Sequence, residues 1–179
     1  MSSKILYIGM DESNHGELKS KIGEIVVATF SFNKLYWNEK EKQSNNNNDV
    51  NNFLKKGGDY LYTILPHELA KGNYSNLPLV APEMLIKILC FKYSPEICIG
   101  FDGQISYEDK KGLITTFDKM GFNPKISNYI KNKGVHIGPK LIYLSHIIAN
   151  DLFRNKNLMD LAQDKRYFPF DIFNYLKIK

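Results

Sequence analysis

Two short apolar runs, each closing on an aspartate, most constrain how this chain can fold. Lys4 to Met10 reads Lys-Ile-Leu-Tyr-Ile-Gly-Met and meets Asp11; Ile97-Cys98-Ile99-Gly100-Phe101 meets Asp102. Both are too short for a helix and rich in residues that suit a pleated, covered surface, so each predicts a buried strand. Strands buried in this way belong to sheets covered by helices.

The remaining segments fill in the order. Gly23 to Phe32 and Gly58 to Leu65 carry β-branched and aromatic clusters and predict two more strands, the first close enough to Lys4–Met10 to pair with it antiparallel. Between them, residues 38–56 hold Lys, Glu and a run of Asn, and read as a flexible surface insertion. Pro82 opens an apolar helix over Glu83 to Phe91, and Ser106 is the expected N-cap of a helix that runs to Met120 and stops at Gly121. Lys125 to Ile130 predicts a fifth strand. Pro139 opens the most regular helix, Lys140 to Phe153, with Leu141, Leu144, Ile148 and Leu152 at helical spacing. Shorter helical additions follow from residue 157. The sum is an α/β fold, three antiparallel strands then parallel strands in one mixed sheet covered by helices, with right-handed crossovers.

Composition sets the class. The 179 residues are 43% hydrophobic and 24% charged with a net charge of +5, which excludes a disordered tail and suits one domain over 1–179. Cys90 and Cys98 lie in apolar segments and form no Cys-x-x-Cys pair, so neither a zinc site nor a disulfide framework is expected, and a reduced, cytoplasmic setting is. No run approaches the roughly 20 apolar residues that cross a bilayer, so no membrane partner is expected. A sequence pI near 9.0 favours phosphate-rich partners.

Chemistry is expected where the acids gather. Asp11, Glu12 and Asp102 stand at the ends of strands expected near the middle of the sheet, where open sheets build their sites. Carboxylates brought together repel unless a cation sits between them, and hard oxygen donors select magnesium or manganese. Asp11 and Glu12 would point to opposite faces of a regular strand, so both reach one site only if the strand ends or bulges there.

The motif Tyr7-Ile8-Gly9-Met10-Asp11-Glu12-Ser13-Asn14-His15-Gly16, the following Gly23-Glu24-Ile25-Val26-Val27-Ala28, and the later Phe101-Asp102-Gly103 resemble the ribonuclease H fold, most closely the type 2 ribonuclease H enzymes. Ser145-His146-Ile147-Ile148-Ala149-Asn150-Asp151 is similar to the helix that carries that family's last metal-binding aspartate. The resemblance implies two-metal hydrolysis of a phosphodiester, RNA in an RNA–DNA hybrid being the favoured substrate, with Asp11, Glu12, Asp102 and Asp151 as catalytic metal ligands. It also implies that Asn14, His15 and Gly16 stand where the family's Gly-Arg-Gly reads a ribose hydroxyl. A second, uncharacterised group with the same fold, opening Asp-Glu-Ser-Gly, is also similar; in that register His146 replaces the helix aspartate and Asp151 is an extra acid.

Lys131, Lys133 and Lys140 before the long helix, and Arg154, Lys156, Lys165 and Arg166 after it, offer a phosphate track; Lys140, His146 and Arg154 are the expected substrate contacts. Tyr167, Phe168 and Phe170 either stack on bases or dock the C-terminal end to the core. The rival to a nuclease is a non-catalytic protein that keeps the fold and binds nucleic acid or a protein partner. Because His15 occupies the family's arginine position, a charge-assisted contact of roughly 1.5–3 kcal/mol is lost. Cleavage of a duplex with one embedded ribonucleotide is therefore expected to be about ten- to a hundredfold less efficient than cleavage of long hybrids, measured as initial rates on labelled duplexes. Equal rates on the two substrates would contradict this.

Overall fold

The computed structural model describes residues 4–13, 23–38, 47–65, 79–93, 96–102, 105–129, 131–132, 135–136, 138–155 and 158–170. Strand β1 (Ile5–Ser13) is the centre of a five-stranded sheet. It pairs antiparallel with β2 (Glu24–Ser31), which pairs antiparallel with β3 (Asp59–Leu65). On its other side β1 runs parallel to β4 (Glu96–Asp102), and β4 parallel to β5 (Lys125–Tyr129). The order β3-β2-β1-β4-β5 is thus three antiparallel strands continued by a parallel pair, a mixed α/β sheet as expected from the sequence. A small hairpin, β6 (Lys131–Asn132) with β7 (Val135–His136), lies outside this sheet and had no sequence signal.

Helices cover both faces. One face of the sheet sends Leu6, Ile8, Met10, Val26, Ile97 and Ile99 into a core with Leu85, Ile86 and Leu89 of a long apolar helix, Val80–Tyr93. Leu113 and Phe117 of the helix Tyr107–Lys119 complete it. That second helix begins as expected, with the Ser106 hydroxyl accepting from the Asp109 N–H, and ends at Gly121, whose φ of 83° suits glycine. Numbered in chain order, α1 is Leu35–Asn38, α2 Asn47–Lys55, α3 Val80–Tyr93, α4 Tyr107–Lys119, α5 Lys140–Asn155 and α6 Leu158–Gln163.

The opposite face belongs to α5. Leu141 and Leu144 pack with Tyr7 and Cys98, and Ile148, Ala149 and Leu152 with Ile25, Val27 and Tyr62. The expected loop at 38–56 is in part this face's second layer: Asn47–Lys55 is a helix, and Phe53 is fully buried against Tyr36. Val50, Phe53 and Leu54 supply an apolar stripe at helical spacing, which outweighs the poor helix propensity of the asparagines. At the C-terminal end Tyr167 packs on Tyr62 and Phe168 donates its N–H to the Tyr62 carbonyl. Phe168 and Phe170 rest against the first core, so these aromatics dock the chain, and the part of the expected helical additions beyond Phe170 lies outside the described residues.

Two features hold α5 against β1. A Cβ on Gly9 would stand 2.4 Å from the Leu141 carbonyl carbon and 2.5 Å from the Ile142 nitrogen, so helix and strand meet backbone to backbone. Beside this contact, fully buried Thr29 and Ser145 place their hydroxyls 3.0 Å apart. Thr29 Oγ1 lies 2.7 Å from the Leu141 carbonyl oxygen, and Ser145 Oγ lies 2.8 Å from that of Gly9. Ser145 Oγ also lies 2.9 Å from the Leu141 oxygen, so the two hydroxyls share the Gly9 and Leu141 carbonyls between them and tie β2, β1 and α5 together. Gly9→Ala must push the helix away and is expected to destabilise by about 3 kcal/mol. Ser145→Ala leaves a buried acceptor short of a donor and is expected to cost about 1–2 kcal/mol. Urea midpoints with unchanged slopes check both, and a neutral Gly9→Ala would contradict the close contact.

Candidate functional site

The parallel register that sets Met10 beside Phe101 carries Asp11 and Asp102, one residue further along each strand, to the same end of the sheet. Alternation puts both on the α5 face, since Tyr7, Gly9 and Asp11 share one side of β1 and Cys98, Gly100 and Asp102 one side of β4. From α5, His146 Nδ1 reaches to 2.8 Å from Asp11 Oδ2. One donor atom from each of Asp11, Asp102 and His146 lies within 4.8 Å of the others, the one such trio of potential metal ligands among the described residues.

Burial dominates the electrostatics. Asp11 is 8% exposed, and loss of water pushes its carboxyl above the ordinary range. The hydrogen bond with His146 opposes that rise, the nearby Asp102 adds to it, and the Glu12 N–H, 2.7 Å from Asp11 Oδ1, opposes it. The two carboxylates could hold a divalent ion beside the imidazole, and a cation between the acids would relieve the burial and repulsion acting on Asp11.

The other expected site residues are dispersed. β1 does not end at Asp11: it continues to Ser13 in an uninterrupted ladder, with Asp11 opposite Val27 and Glu12 opposite Val26. With no bulge to turn it, Glu12 takes the other face of the sheet. Asp151 lies about 140° around α5 from His146. It faces a shallow cavity with Val50, Asn51, Leu54 and Tyr60 and accepts a hydrogen bond from Asn155. The helix acid expected at the site is thus elsewhere, and His146 stands there, as in the second of the two registers. Lys140 opens α5, and Arg154 is exposed about 12 Å along the axis from His146. Arg166, expected among the basic residues after the long helix, pairs with Asp59 at 2.7 Å and lies over the Tyr60 ring. Asn14, His15 and Gly16, like Lys133 and Lys156, lie outside the described residues.

Asn150 was not singled out from sequence. Its Nδ2 lies 3.0 Å from His146 Nε2, and the only signal for it is the four-residue spacing on one helix face. No family model matches the sequence, and no curated protein matches it.

A pH dependence follows from Asp11. Its carboxyl holds a proton more tightly in the folded state than in the unfolded chain. Its contribution to stability therefore falls as pH rises from the unfolded value of about 3.9 through the folded one. Asparagine does not titrate. In chelator, the melting temperature of Asp11→Asn minus that of the native protein is expected to grow more positive from about pH 4 to 7, as the native protein loses this contribution. A difference independent of pH would contradict the assignment.

Proposed function

We propose that the protein is a divalent-metal-dependent nuclease with a ribonuclease H-like fold, hydrolysing phosphodiester bonds, with RNA in an RNA–DNA hybrid as the favoured substrate. The observation that carries this reading is the Asp11–Asp102 pair, placed on one face at the ends of neighbouring parallel strands and joined there by His146. The strand order supports it, because the three antiparallel strands, the parallel addition and the helix laid across β1 match the order of elements that the motifs around Asp11 and Asp102 imply.

Asp11 and Asp102 would hold the cation, manganese or magnesium, with His146 grouped beside them. Such an ion supplies positive charge that acidifies water and stabilises developing charge on phosphate. The overall reaction adds water across the phosphorus–oxygen bond: a new oxygen–phosphorus bond forms, the bond to the leaving oxygen breaks, and that oxygen takes up a proton. Asp102 and buried Asp11 supply the negative charge that retains the ion, and exposed cations such as Arg154 and Lys165 supply phosphate contacts over the surface.

One observation favours the rival. Asp151 stands away from the acids and His146 stands with them, so the acidic set that the type 2 resemblance implies is incomplete, as in a descendant that binds nucleic acid without cutting it. The two readings separate on labelled RNA–DNA hybrid, duplex DNA, duplex RNA and single strands, each with manganese, magnesium or chelator. A nuclease is expected to lose hydrolysis by orders of magnitude in Asp11→Asn and Asp102→Asn while binding persists, and to remain near native in Asp151→Asn. Binding with no hydrolysis under any metal would establish the rival.

A further inference from the structure

The Asn150 side chain meets His146 at two polar atoms. Its Nδ2 lies 2.9 Å from the His146 backbone oxygen and 3.0 Å from His146 Nε2. The first contact settles which end of the amide is nitrogen, because an oxygen there would face another oxygen. An amide nitrogen donates and does not accept, so its second hydrogen goes to Nε2, which must carry a lone pair. A neutral imidazole then has its single N–H at Nδ1, 2.8 Å from Asp11 Oδ2. Asp11 accepts that bond.

We propose that Asn150 is a positioning residue that holds His146 as the Nδ1–H tautomer, so that His146 orients Asp11 as a hydrogen-bond donor instead of ligating the cation or shuttling a proton. The role toward a cation rests on the metal-site reading above; the tautomer rests on the hydrogen bonds alone. Both imidazole nitrogens are engaged, one by Asp11 and one by Asn150, which leaves no lone pair facing the acids. The direct protein ligands are then carboxylate oxygens alone, a set that suits manganese or magnesium better than zinc. A hydrogen bond to a ligating group fixes its orientation, and loss of such a partner typically weakens metal binding about 10–100-fold.

The test uses the full chain with 15N-labelled histidine. In chelator at neutral pH, long-range proton–nitrogen spectra are expected to show His146, assigned by its absence in His146→Asn, protonated at Nδ1 and bare at Nε2. In Asn150→Asp, whose oxygens only accept, Nε2 should gain a proton. A native imidazole protonated at Nε2, or at both nitrogens, overturns the proposal whatever the Asn150 variant shows. With Mn2+ alone as probe, pulsed electron paramagnetic resonance of the native protein is expected to show no directly bonded nitrogen. His146→Asn, which keeps an amide donor near Nδ1, should bind Mn2+ nearly as the native protein does, while His146→Ala binds it about tenfold or more weakly. A directly bonded histidine nitrogen overturns the role of His146 and leaves the metal site standing. Absence of Mn2+ binding to the native protein defeats the metal site itself, and with it the role toward a cation, while the spectra still decide the tautomer.

Discussion

The structure depends on a backbone-to-backbone contact between α5 and the central strand at Gly9. No side chain separates the Leu141–Ile142 peptide from β1 there, and the Thr29 and Ser145 hydroxyls satisfy the carbonyls that this closeness buries. Helix phase does the rest. Once Leu141 and Ser145 are fixed on β1, His146 follows at the rim of the sheet, above the strand ends that carry Asp11 and Asp102. A helix standing further from the sheet would leave the imidazole short of Asp11, so the geometry of the acids and the packing of the core are one problem.

The cluster opposes the fold that builds it. Burying Asp11 beside a second carboxylate raises the free energy of its charged form, and neither the imidazole nor the Glu12 N–H fully offsets this. Strain of this electrostatic kind concentrates where a ligand is to be bound, because a cation that enters turns the unfavourable charge into the source of its own affinity. Contrast Asp59, whose carboxylate meets Arg166 at the surface and is matched within the protein. Asp11 pairs with His146 instead, which in the proposed Nδ1–H form directs the carboxylate without cancelling its charge.

Much of this was legible in the sequence, for reasons that differ by level. The five strands and three long helices were written in periodicity and in signals such as Pro82, Ser106, Gly121 and Pro139, and their boundaries shifted by only a few residues. Asp11 and Asp102 were legible because each closes an apolar run. Asp151 was not placed by the sequence, because resemblance aligned it with a helix acid while helix rotation carries it to the cavity beside Val50 and Tyr60. The helix at Asn47–Lys55 was obscured by asparagine composition, although three apolar residues were enough to dock it. Asn150, Thr29 and Ser145 gave no sign, since a buried hydroxyl or amide is recognised by its partners and those come from elements far apart in the chain or from a helix phase not yet known. The uninterrupted β1 ladder likewise decided Glu12, which a strand ending at Asp11 would have freed.

The most direct measurement is anomalous diffraction from crystals of the protein equilibrated with manganese. The account predicts a peak between the carboxylates of Asp11 and Asp102, bonded to their oxygens, with His146 hydrogen-bonded to Asp11 outside the ion's own ligand shell. A peak elsewhere in the molecule, or none while the two acids stay apart, would contradict it.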